Sequence, residues 1–381
     1  MCSSDLGWRF LHHSYAVVNQ WQLLALSKRN DIALGIRDAP YYANQWKPKR
    51  GLFAPPEEAS LAALPVLDPA EPSDATLRIS APYDFSMRPR GRTALFATAE
   101  HQRVENFKFK APADIAALSQ NESFMVVTPS RWSREGFLRL GLREDQIAVV
   151  PHGVDPSVFR PSAQARAVAR GIFKLQGFTF ANASMMAENK GIDLLLRAFA
   201  VVAEKRPDVR LLLKGADDLY ESRNMVAQMV ADLPAHAKTL VSDRILYFGS
   251  TISMTQMAGF YQAVDAYVSP YRAEGFNLPV LEASACGTPV ICTKGGPTDE
   301  FTTGDFARYI DSRLMTIDDE YGHGRQLEPD LDHLIQSMFA VMDDAAFRER
   351  AARLGPQHAA THFNWDLIAD KLLTAIFPDG V

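Results

Sequence analysis

The amino-acid sequence predicts an α/β protein made of two doubly wound domains, and three observations carry that prediction. Short apolar runs alternate with segments of helical periodicity along most of the 381 residues, the rhythm of parallel strands covered by helices on both faces. The length exceeds what one core ordinarily needs and is comfortable for two. Residues 156–172 lose strand character and carry Pro156, Pro161 and several alanines, directly after Pro151-His152-Gly153-Val154-Asp155, which marks a boundary. The expected division is therefore 1–158 and 159–356, with a final helical segment over 357–381.

In chain order, residues 1–6 show no usable pattern, and Trp8–Leu11 reads as a first strand ending in His12-His13-Ser14. Val17, Val18, Trp21, Leu24 and Ala25 then have helical spacing. A strand over Ile32–Ile36 is followed by a Pro-, Ala- and Glu-rich stretch, 38–75, expected to be loop with one short helix. Further strands are expected at Thr76–Ile79, Thr93–Ala97, Phe124–Thr128 and Ile147–Val150, with a helix from Ser130 to Gly141. In the second half the strands are Phe178–Ala183, Val209–Leu213, Ile245–Phe248, Ala266–Ser269 and Val290–Cys292. After the first of them, Lys190-Gly191 opens a helix with the apolar face Leu194, Leu195, Ala198, Phe199 and Val202. After Asp311 the chain is expected to be helical, with a last long helix from Gln357 to Ile376.

Composition narrows the function classes. With 47% hydrophobic and 22% charged residues the chain is an ordinary globular protein. A net charge of −5 argues against a nucleic-acid protein that relies on a basic face. Cys2, Cys286 and Cys292 are odd in number and form no CxxC, so buried free thiols in a reducing compartment are expected. No basic region precedes an apolar run at the N-terminus, and no apolar stretch reaches about 18 residues. A cytoplasmic protein, at most peripheral to a membrane, is the expectation. Between Arg88 and Lys110 six cations face only Glu100 and Glu105, with Phe107 and Phe109 interleaved. A solvated loop face is the plainer reading, and contact with an anionic acceptor or membrane surface the functional one.

The chemistry concentrates in residues 269–296, SPYRAEGFNLPVLEASACGTPVICTKGG. Pro279 suits the first turn of a helix, where its missing N–H costs nothing, so the amides of Gly275, Phe276, Asn277 and Leu278 would face an anion from a helix N-terminus. Glu274 lies before that turn and Glu282 three residues after Pro279, so two carboxylates flank the amides. Neither GxGxxG nor GxxxxGK[ST] is present, which leaves a dinucleotide site and a P-loop unsupported. Loops after different strands converge beyond the carboxyl ends of such a sheet. Lys190 would therefore add a positive charge to a site for a phosphorylated, hydroxyl-rich molecule.

On Pro151-His152-Gly153-Val154-Asp155, Lys190-Gly191 with Leu194-Leu195-Leu196, and Glu274-Gly275-Phe276-Asn277-Leu278-Pro279 with Glu282, residues 128–304 resemble the retaining glycosyltransferases of family 4. The Trp365 region resembles that family's C-terminal crossing helix, and the N-terminal third shares only the strand–helix rhythm. The resemblance implies a GT-B fold, two Rossmann-like domains facing a cleft, acceptor bound by the first and a nucleotide-sugar donor by the second. It implies that Glu282 accepts hydrogen bonds from the ribose, that Glu274 works at the donor sugar, that the 275–278 amides hold sugar and diphosphate, and that Lys190 neutralises the diphosphate. A first-domain histidine often assists in this family. His13 and His101 are the candidates, and His101 is preferred because it follows the strand Thr93–Ala97. No metal or other cofactor is implied.

The partners implied are the donor and a glycan, lipid-linked or small-molecule acceptor. The alternatives are a GT-B epimerase, a phosphorylase, or a nucleotide-sugar binder without turnover. Two departures stand out: Ser184-Met185-Met186-Ala187 occupies the place of an expected arginine, leaving Arg272 or amides to help Lys190, and His12-His13-Ser14-Tyr15 replaces a glycine-rich loop. Three further signals have plain readings. Asp330-Leu331-Asp332 has DxD spacing but opens a helix. His358 and His362 share a helix face without an obvious third ligand. Glu188 and Asp193 read as helix-start carboxylates. Base, sugar, acceptor and oligomeric state are not encoded in any motif.

Overall fold

The structure, a computed structural model, describes residues 2–68, 71–88, 90–378 and 380. It forms two compact units: Met1–Gly153 with Thr316–Arg325 and Phe363–Val381, and Val154–Met315 with Gln326–His362. The first unit holds β1 (Cys2–Gly7), β2 (Ala33–Asp38), β3 (Ala75–Ile79), β4 (Arg92–Phe96), β5 (Phe124–Thr128) and β6 (Ile147–Val149). Their order is β2-β1-β3-β4-β5-β6 with parallel pairing. The second holds β7 (Thr179–Ala183), β8 (Arg210–Lys214), β9 (Ile245–Phe248), β10 (Ala266–Ser269), β11 (Val290–Thr293) and β12 (Ala307–Ile310). Their order is β12-β11-β10-β7-β8-β9, again parallel. Helices cover these sheets, which explains the unbroken apolar runs: every residue of β5, β7, β10 and β11 is buried.

Each sheet reverses its winding once. The second starts at β7, runs out through β8 and β9, and then resumes on the other side at β10. The switch lies between β7 and β10, where a crevice opens beyond the strands' carboxyl ends. In the first unit the same point lies between β1 and β3. Helix ends follow local chemistry. Ser130 accepts the Ser133 amide at 3.1 Å to start Arg131–Leu140, and Gly141, at φ 108°, ends it in the left-handed region that glycine favours.

Beside β12, which the sequence reading did not list, three elements depart from it. The first strand is Cys2–Gly7 rather than Trp8–Leu11, which forms the loop after it. A polar run such as CSSDLG carries no apolar signature, yet it fills the slot between β2 and β3. Gly7 lets it pass close to Asn19, whose side-chain nitrogen would collide with a Cβ there. After Asp311 comes not helix but a strand pair, β13 (Ser312–Asp319) and β14 (Gly322–Pro329), with Gly322 at φ 96°. Helix resumes at Leu331. Its connection is pinned within the first unit: the Arg103 guanidinium donates to Asp319 at 2.8 Å and to the Gly322 carbonyl. The expected last helix is two, Ala345–His362 and Trp365–Ile376. Asn364 accepts the Leu367 amide at 2.9 Å and restarts the second.

The basic segment 88–110 is largely paired inside the first unit. Lys108 lies 2.9 Å from Glu105, Lys110 3.1 Å from Asp84, and Arg92 donates to the Ile376 carbonyl at 3.1 Å. No helix among the described residues is long and apolar enough to cross a membrane.

Candidate active site

The site grows from two loops at the switch of the second sheet. After β7 a single turn, Glu188–Lys190, leads into the helix Ile192–Lys205 through Gly191, at φ 68°. A Cβ at Gly191 would collide with the carbonyl oxygen of Pro270, so glycine is required twice, for conformation and for closeness. That approach joins the loops after β7 and β10: the Asn189 carbonyl accepts the amides of Arg272 and Ala273 at 2.8 and 3.1 Å. It also sets the buried Lys190 Nζ 3.1 Å from Glu274 Oε2.

Gly275, Phe276 and Asn277 continue from Glu274 and are buried. Phe276 stacks on Phe301 with centroids 4.5 Å apart. Asn277 turns the chain at φ 78°, a left-handed conformation that asparagine tolerates, and its amide donates to Ser269 Oγ at 2.8 Å. Both contacts fix the turn ahead of the helix Leu278–Ala285, whose first-turn amides lack intrahelical acceptors. That helix begins at Leu278, so Pro279 is its second residue and Glu282 its fifth, one position deeper than a helix opened by Pro279 would give. Glu282 is buried, and Tyr261 Oη donates to its Oε2 at 2.7 Å. Burial raises the Glu282 carboxyl to about 7 against the lowering effect of that hydrogen bond.

The second cation expected beside Lys190 is not Arg272. Its guanidinium makes paired bonds to Asp193 at 2.7 and 2.8 Å and reaches Glu328 at 3.0 Å and the Glu188 carbonyl at 2.8 Å. Burial works against its charge, yet the hydrogen bonds of Asp193 and Glu328 outweigh it and raise its pKa. Arg272 thus clamps the two loops together. Asp193 is its partner as well as a helix-start carboxylate.

The histidine candidates belong to the first unit. His101 follows β4, with Nδ1 3.4 Å from Glu105 Oε1. Burial raises the Glu105 carboxyl, but contacts from His101 and Lys108 prevail and hold it at about 2. His13 caps the helix Ser14–Leu26 by accepting the Tyr15 amide at 3.2 Å, and its ring packs against Trp8 and Trp46. Burial, with His12 beside it, lowers it to about 4. Pro151-His152-Gly153 is a packing seat: a Cβ on Gly153 would sit 2.7 Å from the Trp365 ring, and His152 lies between Phe96 and Trp365. Asp330 caps the helix Leu331–Asp343 through the His333 amide at 2.8 Å. The His358 and His362 rings stand 4.9 Å apart.

Tyr261, Ser269, Asn189 and Phe301 escaped sequence reasoning. In the sequence Tyr261 stands with Met257, Phe260 and Val264 at helical spacing, and nothing local marks its hydroxyl.

Residues 177–312 match the profile of the family described as Glycosyl transferases group 1. Over those residues, the second unit is similar to the group 1 glycosyl transferases. The chain is 30% identical over 236 residues to a D-inositol 3-phosphate glycosyltransferase of Kribbella flavida, covering 62% of this chain and 51% of that one. It is 27% identical over 239 residues to a mannosylfructose-phosphate synthase of Agrobacterium fabrum, covering 62% and 48%. It therefore spans about half the length of these curated relatives. The crystal structure of Anabaena HepE in complex with UDP-glucose matches with a TM-score of 0.69 at 14% identity, over 99% of this chain and all of that one. That likeness shows the fold, which is GT-B. Lys190, Glu274, the 275–278 turn and Glu282 all fall inside the matched residues, on the switch-point loops and the helix that follows them.

Proposed function

We propose that the chain transfers a hexosyl group from a nucleotide-diphosphate sugar to a glycan, lipid-linked or small-molecule acceptor, with retention at the anomeric carbon. The observation that carries this reading is the meeting of Lys190 and Glu274 at the mouth of the β7–β10 crevice, beside the helix-opening turn 275–278 and the buried carboxylate of Glu282. Breaking the anomeric C–O bond leaves charge on the departing diphosphate while an oxocarbenium-like sugar develops. Preorganised donors aimed at that charge are a main source of acceleration. Lys190 Nζ and the turn amides are those donors, and no resident cofactor is assigned. Lys190 rests on Glu274 in the free protein, so an arriving diphosphate would take over that cation and leave Glu274 to the sugar. Glu282 would accept from the ribose hydroxyls. His101, oriented by Glu105, is assigned to the acceptor hydroxyl. The UDP-glucose held by HepE supports a nucleotide-diphosphate hexose as donor.

A thermal-shift panel of uridine, guanosine and adenosine diphosphates and their hexoses tests the reading first, since a bound ligand raises stability by mass action. Titration calorimetry then assigns roles. Glu282→Ala should weaken the nucleoside diphosphate about tenfold or more, in line with a lost charge-assisted hydrogen bond. Glu274→Ala should bind the diphosphate at least as tightly, because it frees Lys190, and lose turnover, and His101→Ala should keep the affinity and lose turnover. Unchanged affinity in the Glu282 variant sinks the ribose assignment. The Arg272 clamp favours a second reading, a binding protein without turnover, because it removes the one nearby candidate for the missing phosphate-binding arginine. Donor bound tightly but neither hydrolysed nor transferred would establish it.

A further inference from the structure

We propose that Tyr261 is a positioning residue for Glu282, its hydroxyl holding Oε2 so that the other carboxylate oxygen stays turned toward the ribose in the charged form. The proposal rests on the ribose role given to Glu282 above.

Tyr261 lies on the helix Met254–Ala263 and is fully buried. Its ring is held edge-on by Phe260 and Tyr267, at 5.3 and 5.7 Å, and tilted against Phe159 at 6.3 Å. Its carbonyl accepts from Thr288 Oγ1 at 2.8 Å, in the loop that ends the Glu282 helix. Tyr267 is fixed in turn by its hydroxyl, which accepts the Ala183 amide and donates to the Ala183 carbonyl, both at 3.1 Å, at the end of β7. The Tyr261 hydroxyl is therefore set by β7, β10 and two helices before any ligand arrives, and it meets Glu282 at 2.7 Å. A carboxylate taken out of water without a cation needs hydrogen-bond donors to remain ionised. Among the described residues no cation pairs with Glu282. The titratable groups that face it are Tyr261, Tyr267 and, just past the end of its own helix, Cys286. Burial raises all three pKa values, so they stay neutral, and the charge that changes near neutrality is that of Glu282 itself.

Removing the Tyr261 hydroxyl should thus act through the protonation of Glu282, and raising the pH should undo it. In Tyr261→Phe a carboxyl pKa one unit higher predicts nucleoside diphosphate binding about tenfold weaker at pH 6, about fivefold weaker at pH 7 and within about 1.5-fold of wild type at pH 9. The probe is whichever of uridine, guanosine and adenosine diphosphate binds best, titrated calorimetrically beside its 2′,3′-dideoxy analogue. The analogue should bind both proteins alike, because it lacks the hydroxyls that Glu282 would hold. Glu282→Gln is run in parallel to remove the contribution of the nucleotide's own terminal phosphate, and thermal unfolding checks that each variant folds. A Tyr261→Phe loss that is equal for ribose and dideoxyribose and flat with pH would mean a structural role and overturn the proposal. So would no loss at all. If Glu282→Gln keeps the full preference for ribose, or none of the three nucleotides binds, it is the ribose reading that fails, and this proposal with it.

Discussion

At the scale of single residues, the site is built from charges whose partners are already chosen. Glu282 is the costly one. Its folded value of about 7 lies above the ordinary carboxyl value of 4.5, so the folded state prefers the neutral acid. The sign follows: Glu282 costs nothing below about pH 4.5, and its cost grows as pH rises through 7. Replacing it with glutamine should leave stability near pH 4.5 unchanged and add up to about 3 kcal/mol at pH 8. Urea unfolding of the free protein at the two pH values measures this, and equal gains at both would refute the buried-charge account. The same variant loses the proposed ribose contact, a trade of stability for binding that functional carboxylates show. Lys190 and Glu274, 3.1 Å apart, offset part of each other's cost of burial.

At the scale of elements, close approaches carry the design. Gly191 lets the loop after β7 rest on Pro270, and Lys190 reaches Glu274 through that contact. Gly191→Ala should destabilise the second unit by about 2 kcal/mol or more, from left-handed strain added to a collision with a carbonyl. Nucleoside diphosphate binding should fall with it. A variant of unchanged thermal midpoint and affinity would show the loop has slack that the distances deny. In the first unit Arg103 is the corresponding fastening: buried, it holds the connection of β13 and β14 by Asp319 and the Gly322 carbonyl. Arg103→Ala should speed amide exchange of residues 317–325 by about tenfold or more while β4 and β5 stay protected, since a hydrogen bond to a charged group is worth about 1.5–3 kcal/mol.

At the scale of the whole molecule, the two units carry opposite buried groups. The first contains His13 and His152, which burial lowers to about 4 and about 3, and Asp5, which burial raises to about 8. The lowered histidines contribute stability that is full above about pH 6.5 and is lost as pH falls through their folded values. Asp5 contributes stability that is full below about 3.8 and is lost as pH rises through 8. Two groups outvote one between about pH 4.5 and 6.5, so the first unit should gain stability there and peak near 6.5. Across that window the second unit should lose it, because the large upward shift of Glu282 outweighs the smaller downward shift that burial gives His358. Calorimetry of the free protein should resolve two transitions moving in opposite directions. Transitions that rise or fall together would contradict this assignment. Saturating nucleotide should blunt the pH dependence of the second transition alone.

Much of this was legible in the sequence, for a physical reason that also marks the limit. Buried parallel strands are continuous apolar runs and their helices end in recognisable caps, so β5, β9 and β10 could be read to the residue. The Glu274–Glu282 stretch was legible because helix-opening proline and flanking carboxylates act over one or two turns. Strand β1 was not, because its polar residues are held by neighbours on both sides rather than by their own hydropathy. The β13–β14 pair is mostly exposed, so burial left no alternating pattern to read. What only the tertiary structure decided was who holds whom. Arg272 went to Asp193 and Glu328 instead of a phosphate, Gly153 went under Trp365, and the Tyr261 hydroxyl went to Glu282. Those partners lie between 21 and 212 residues away, and at such separations sequence spacing carries no distance information. The glutamates at 274 and 282 could be named from the chain alone; the tyrosine proposed to keep one of them charged could be named only after folding.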